Sequence, residues 1–220
     1  MNTLLSKLKD PGSAITHFIG MVVALLATAP LLIKAYRGDN SNYLGAFAIF
    51  IISMAALYGA STIYHTFDIS EKVNTLLRKI DHAMIFVMIA GSYTPICLIA
   101  LPKNVGIPLL TTVWIITIVG TLFKIFWITC PRWLSSVMYI GMGWLSVVAI
   151  LPIIKNLPFS AFLWLLVGGI IYTIGGVIYA LKLPIFKKVN WKNFGNHELF
   201  HCFVMLGSVC HFVLVYNYLA

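Results

Sequence analysis

Charge is what this chain has least of. Only 10% of its 220 residues are Asp, Glu, Lys or Arg, and only six are acidic. A soluble domain carries about 25% charged residues, so an ordinary water-facing surface is excluded. No polar stretch is long enough to make a separate soluble domain. Cysteine is scarce as well: Cys97, Cys130, Cys202 and Cys210 form no CxxC pair and read as small buried hydrophobes rather than disulfides or metal ligands. A basic stripe with interleaved stacking residues on a polar domain is also missing, so the net charge of +9 does not point to nucleic acid.

What the chain does have is hydrocarbon. Apolar residues make up 60% of it, and a spanning helix needs about 20 of them in a row. Seven stretches qualify, near residues 15–34, 43–65, 81–101, 107–128, 133–155, 159–181 and 197–219. The expected fold is therefore all-α, a seven-helix transmembrane bundle forming a single domain over residues 1–220. The first stretch resembles a signal peptide, with Lys7 and Lys9 ahead of it and Ala27-Thr28-Ala29 as a possible cut site. Pro30 would follow the cut directly and the apolar run continues through Ile33, so the stretch is read as a retained helix.

The basic residues flank the apolar runs, where they meet headgroups and set orientation. Eleven Lys and Arg fall on the side of the N-terminus, among them Lys72, Arg78, Lys79 and Lys124, against four opposite, Lys34, Arg37, Lys103 and Lys155. This asymmetry predicts a cytoplasmic N-terminus and, after seven crossings, a C-terminus outside. Val73, Leu76, Leu77 and Ile80 recur at helical spacing and suggest a short helix on the membrane surface. Phe186, Trp191 and Phe194 interleave with lysines as an interfacial belt does. Gly168-Gly169 and Gly175-Gly176 recur two turns apart and suggest close helix packing. Pro95 is expected to kink its helix.

Topology then gathers the polar residues. With alternating helices, His65 ends the second stretch on the cytoplasmic side, with Ser61 one turn deeper. Asp81 and His82 begin the third there, His197 and His201 begin the seventh, and His17 begins the first. Ionisable groups at such depth are expensive and mark function. His197 and His201 share a helix face. With His65 they make three neutral ligands and an open fourth position, the set of a catalytic zinc site. Zinc lowers the pKa of its water toward ~7; Asp81 could accept the proton and Ser61 could hydrogen-bond the same water, the arrangement wanted for amide or ester hydrolysis. Plainer readings stand beside this one: Asp81 as a helix N-cap, Ser61 as a packing hydroxyl, and His17 and His82 as accessory polar residues at helix ends. His211 lies roughly 15 Å deeper than His201 by helix rise, too far to share the metal.

His197-Glu198-Leu199-Phe200-His201 also spells HExxH, the zinc-protease pattern with Glu as general base. An intramembrane protease of that kind takes its third ligand from an Asp on a later helix, and the sequence offers no later helix of membrane length. Glu198 instead suits the positive end of its own helix.

At these residues the chain resembles the progestin and adipoQ receptor (PAQR) family, and more closely its bacterial, haemolysin III-like branch. The resemblance is carried by Ser61-Thr62-Ile63-Tyr64-His65, by Asp81, and by His197-x-x-x-His201. Gly91-Ser92-Tyr93-Thr94-Pro95, Gly141-Met142-Gly143-Trp144-Leu145 and Gly207-Ser208-Val209-Cys210-His211-Phe212 add to it, so that it covers essentially all seven helices. It implies that His65, His197 and His201 bind zinc and that Ser61 and Asp81 sit by the zinc's water. It further implies kinship with alkaline ceramidases, roles in membrane-lipid homeostasis, and, from the haemolysin name, lysis of foreign cells. One departure is visible: bacterial relatives often carry Glu and Asn where this chain has Asp10 and Ser13.

The expected protein is a multi-pass cell-membrane protein that binds zinc and hydrolyses an amide or ester of a membrane lipid. The rivals are a non-enzymatic lipid sensor with structural zinc and a pore-forming lysin. A membrane lipid is the partner expected; neither nucleic acid nor a soluble protein partner is implied, and the sequence does not fix the oligomeric state.

Overall fold

The computed structural model describes residues 8–181 and 194–220. Among these residues there is no strand, and seven helical spans are long and apolar enough to cross a membrane. Helix α1 is Pro11–Arg37, α2 is Leu44–Thr66, α3 is Glu71–Pro95 and α4 is Lys103–Phe126. The fifth span is broken into α5 (Arg132–Gly143) and α6 (Ile150–Asn156), with the 3₁₀ stretch Trp144–Ala149 between them. Helix α7 is Phe159–Leu181 and α8 is Asn196–Leu214. Outward-facing Phe126, Val148 and Leu151 are more than three-quarters exposed, which suits lipid and not water. The chain is a multi-pass membrane protein.

Helix α3 departs from the sequence reading. The segment expected as a separate surface helix is the first part of α3, capped by the Ser70 hydroxyl, which accepts from the Val73 N–H at 3.3 Å. The helical spacing of Val73, Leu76, Leu77 and Ile80 was a true signal, but nothing between Ile80 and Asp81 interrupts the backbone ladder. Asp81 is therefore interior to a helix and is not its N-cap. At the other end of α3, Pro95 is followed by a π-helical turn, Ile96–Ala100, a local widening that absorbs the missing proline N–H. Of the expected belt, Phe186 and Trp191 lie outside the described residues.

The break in the fifth span exposes backbone groups that hydrocarbon cannot satisfy. Tyr93 of α3 answers for them. Its hydroxyl accepts from the Ser146 N–H at 2.8 Å and lies 2.6 Å from the Gly143 carbonyl, to which it donates. Two of the glycine- and aromatic-bearing motifs thus meet in one hydrogen-bonded staple. The third motif does the same work elsewhere: Ser208 takes a hydrogen bond from Tyr58 at 2.6 Å and lies 2.9 Å from the Tyr172 hydroxyl, tying α8 to α2 and α7.

The glycine pairs of α7 divide their labour. A Cβ on Gly168 would come within 2.5 Å of the His211 ring, and one on Gly175 within 2.6 Å of Phe203, so both permit α7 to lie close on α8. Gly169 meets nothing within 4 Å and instead lines an internal cavity. The four cysteines are free, and all but Cys202 are buried. One lysine does not flank the bundle as a headgroup anchor: Lys124 is fully buried and donates to the Ser135 hydroxyl and to Cys130 Sγ, holding the turn between α4 and α5.

Candidate metal and lipid site

The starts of α1, α3 and α8 and the end of α2 lie at one end of the bundle, and the polar residues meet there. His65 Nε2 and His197 Nε2 are 3.1 Å apart. His65, His197 and His201 each offer a ligand atom within 4.8 Å of the others, so this group could hold a metal ion. Tetrahedral nitrogen ligands at 2.0–2.1 Å from zinc stand about 3.4 Å apart, close to the His65–His197 separation.

The remaining ring nitrogens argue for the same use. His65 Nδ1 lies 2.9 Å from Asp10 Oδ2; a carboxylate only accepts, so Nδ1 carries the hydrogen and Nε2 keeps its lone pair. His201 Nδ1 lies 3.1 Å from the Thr16 hydroxyl, whose own hydrogen has the carbonyls of Gly12 and Ser13 at 3.0 Å. The hydroxyl oxygen therefore accepts from His201 Nδ1–H, and His201 Nε2 is left free. The free His65 lone pair faces His197 Nε2 at 3.1 Å, a contact that either a hydrogen on His197 or a shared cation satisfies. The donor set thus fits a metal ion on its own chemistry.

Asp81 and Ser61 are both buried beside this group. The Ser61 hydroxyl lies close enough to the Asp81 carboxyl to act on it as a hydrogen-bond donor, although not at ideal geometry, and both line one cavity. His17 is also buried, with both ring nitrogens unpartnered, and stacks flat on His201 with centroids 3.6 Å apart. His82 is nearby, and its backbone carbonyl accepts from the Tyr139 hydroxyl at 3.1 Å. His211 is not part of the cluster; it packs edge-on against Tyr172 with ring centroids 5.3 Å apart. Glu198 has both carboxylate oxygens engaged, one by the Gly195 N–H at 2.8 Å and the other by the Ser13 hydroxyl. It caps its own helix and ties it to α1, a structural use of both oxygens.

From this cluster a cavity of about 180 Å³ runs into the bundle. Asp81, His197 and His201 line its polar end, and Ile96, Leu101 and Ile153 line the far one. From Asp81 to Ile96 is roughly 22 Å along α3, much of the ~30 Å hydrocarbon thickness. A long apolar cavity with its polar groups gathered at one end suits an amphipathic chain lying along the bundle.

The family follows from the whole sequence. The haemolysin-III related family matches residues 5–212. The chain belongs to that family. Among its relatives, Hemolysin-3 of Bacillus cereus is 38% identical over 211 residues, covering 96% of this chain and 91% of that one. The Hemolysin-3 homolog of Bacillus subtilis is 36% identical over 210 residues, covering 96% and 94%. Progestin and adipoQ receptor-like protein 1 of Caenorhabditis elegans is 25% identical over 219 residues, covering 92% of this chain and 50% of that protein. The resemblance read from the motifs is thus to the right family and to the right branch of it.

Three residues of this haemolysin-III related chain escaped the sequence reading. Asp10 and Ser13 were noted only as departures from relatives, and Thr16 not at all. A signal existed. The chain has six acidic residues; five stand at this end of the bundle, and three of them, Asp10, Asp81 and Glu198, reach the cluster or the helices that carry it. In so acid-poor a sequence each carboxylate warrants a partner, and a ligating histidine needs an acceptor at its other nitrogen.

Proposed function

We propose that the protein is a zinc-dependent hydrolase acting on an amide or ester of a membrane lipid, with His65, His197 and His201 holding the metal. The observation that carries this reading is the convergence of the three imidazoles, the Asp81 carboxyl and the Ser61 hydroxyl at the polar end of an apolar cavity. A bound zinc supplies Lewis-acid chemistry, polarising a carbonyl and acidifying water. Asp81 takes the proton of the attacking water, and the Ser61 hydroxyl beside it orients that water. The water oxygen bonds to the acyl carbon, the C–N or C–O bond breaks, and Asp81 returns the proton to the leaving amine or alcohol. The cavity walls hold the acyl chain and exclude bulk water.

The test is an unbiased one. Purified zinc-loaded protein, with a chelated control and Ser61→Ala alongside, is incubated with ceramides, phospholipids and lipid esters, and released fatty acid is measured by mass spectrometry. Release from at least one class is expected, abolished by chelation and slowed in Ser61→Ala. No release from any class removes the hydrolase reading and leaves the sensor. The names of the Bacillus relatives raise lysis as a role, yet the cavity is lined largely by apolar side chains and lacks the polar wall of an aqueous pore.

The 11-to-4 distribution of Lys and Arg supports a site in the cytoplasmic leaflet. Cysteines introduced at exposed Glu71 and Asn104 test this. A membrane-impermeant thiol reagent applied to intact cells should label Asn104→Cys and spare Glu71→Cys; the reverse pattern would put the site in the outer leaflet.

A further inference from the structure

The start of α1 does more than enter the membrane. Asp10 binds His65 twice, through its carboxylate to Nδ1 at 2.9 Å and through its own N–H to the His65 carbonyl at 2.9 Å. Lys9 N–H adds a bond to the Thr66 carbonyl at 3.3 Å. Three residues on, Ser13 donates to Glu198, which directly follows His197 on α8. Thr16 lies 3.1 Å from His201 Nδ1 and accepts from it, with the Ser13 carbonyl as a second acceptor for the same imidazole. One short run, Asp10 to Thr16, therefore touches both polypeptide segments that supply imidazoles, and at two of the three imidazoles it occupies the nitrogen that faces away from the cluster.

We infer that residues 10–16 form the outer shell of the metal centre, Asp10 being the positioning residue of His65 and Thr16 that of His201. The inference rests on the metal reading above and adds to it which residues set the tautomers. Without an acceptor at Nδ1, an imidazole is free to place its hydrogen on Nε2, where it cannot ligate, and to rotate out of register. Asp10 adds a charge: a carboxylate behind a ligating histidine raises its basicity and offsets part of the ion's positive charge. Its side chain is 47% exposed, so that electrostatic part is screened, and orientation is its larger contribution. Thr16 is neutral and works by orientation alone. Removal of such an outer-shell partner typically weakens metal binding by about 10–100-fold.

The experiment is a zinc competition titration of the full chain in detergent, using a chromophoric chelator, with cobalt substitution to read the ligand field. Wild type and His65→Ala come first. A wild type that binds no more zinc than His65→Ala removes the metal reading and this inference with it. Where wild type binds, Asp10→Ala and Thr16→Val are expected to fall about 10–100-fold in zinc affinity, with a changed cobalt spectrum. Asp10→Asn keeps an acceptor without the charge and should fall less than Asp10→Ala, and Thr16→Ser should match wild type. The thermal midpoint of the chelated protein serves as the second readout. A positioning role leaves the midpoint of Thr16→Val close to wild type, whereas a merely structural role lowers it and spares the zinc affinity. Unchanged affinity in both Asp10→Ala and Thr16→Val overturns the inference while the metal site stands. If Asp10→Ala fails to fold, Thr16→Val decides.

Discussion

Alanine at position 65 is expected to strip the protein of zinc. Wild type should hold close to one zinc per chain, and His65→Ala close to none, because one of three protein ligands is lost and the other two lie on a single helix. The loss should exceed the ~10–100-fold typical of outer-shell changes, and His197→Ala and His201→Ala should behave alike. His211→Ala is the control: its ring lies against Gly168 and Tyr172, away from the cluster, so zinc content should not change. Metal analysis of the purified proteins decides it. Undiminished zinc in His65→Ala would mean that the ion, if bound, does not bridge α2 and α8, and the convergence at one end of the bundle would be a packing feature.

That convergence was legible in the sequence because it needs only two kinds of information. Apolar runs of spanning length fix which ends of the helices are neighbours, and the ionisable residues stand out against an apolar background. His65, His197 and His201 satisfied both conditions. What the sequence hid is set by longer-range contacts. The start of α3 was hidden because Lys72, Arg78 and Lys79 depress the local hydropathy, although Ser70 and Glu71 form an ordinary helix start. The break at Trp144–Ala149 left only two nearby glycines as a sign, since its backbone is satisfied by Tyr93, some fifty residues earlier in the chain. Asp10 was visible only as a departure from a pattern, because a hydrogen bond from residue 10 to residue 65 has no local signature. The cavity likewise belongs to no one segment; it is what remains when seven helices pack with glycine at some faces and tyrosine at others.

Asp81→Asn separates a hydrolase from a metal-bearing sensor. Asn preserves the size of the side chain and can still accept a hydrogen bond, so the buried position on α3 should tolerate it and zinc content should stay near one per chain. What Asn loses is the ability to take a proton from water. If Asp81 is the general base, the hydrolysis rate should fall about 10²–10⁴-fold, the usual contribution of a positioned base. The N-cap explanation, under which Asn would be an equal substitute, is no longer open, because α3 begins at Glu71 and Asp81 lies within it. A carboxyl buried in mid-helix needs another reason to be there, and with the Ser61 hydroxyl it shares the polar end of the cavity, beside the histidines. An unchanged rate in Asp81→Asn takes Asp81 out of the mechanism even if wild type hydrolyses lipid. A rate that falls in step with zinc content would instead assign Asp81 to holding the metal, since a base can be lost without losing the ion it works beside.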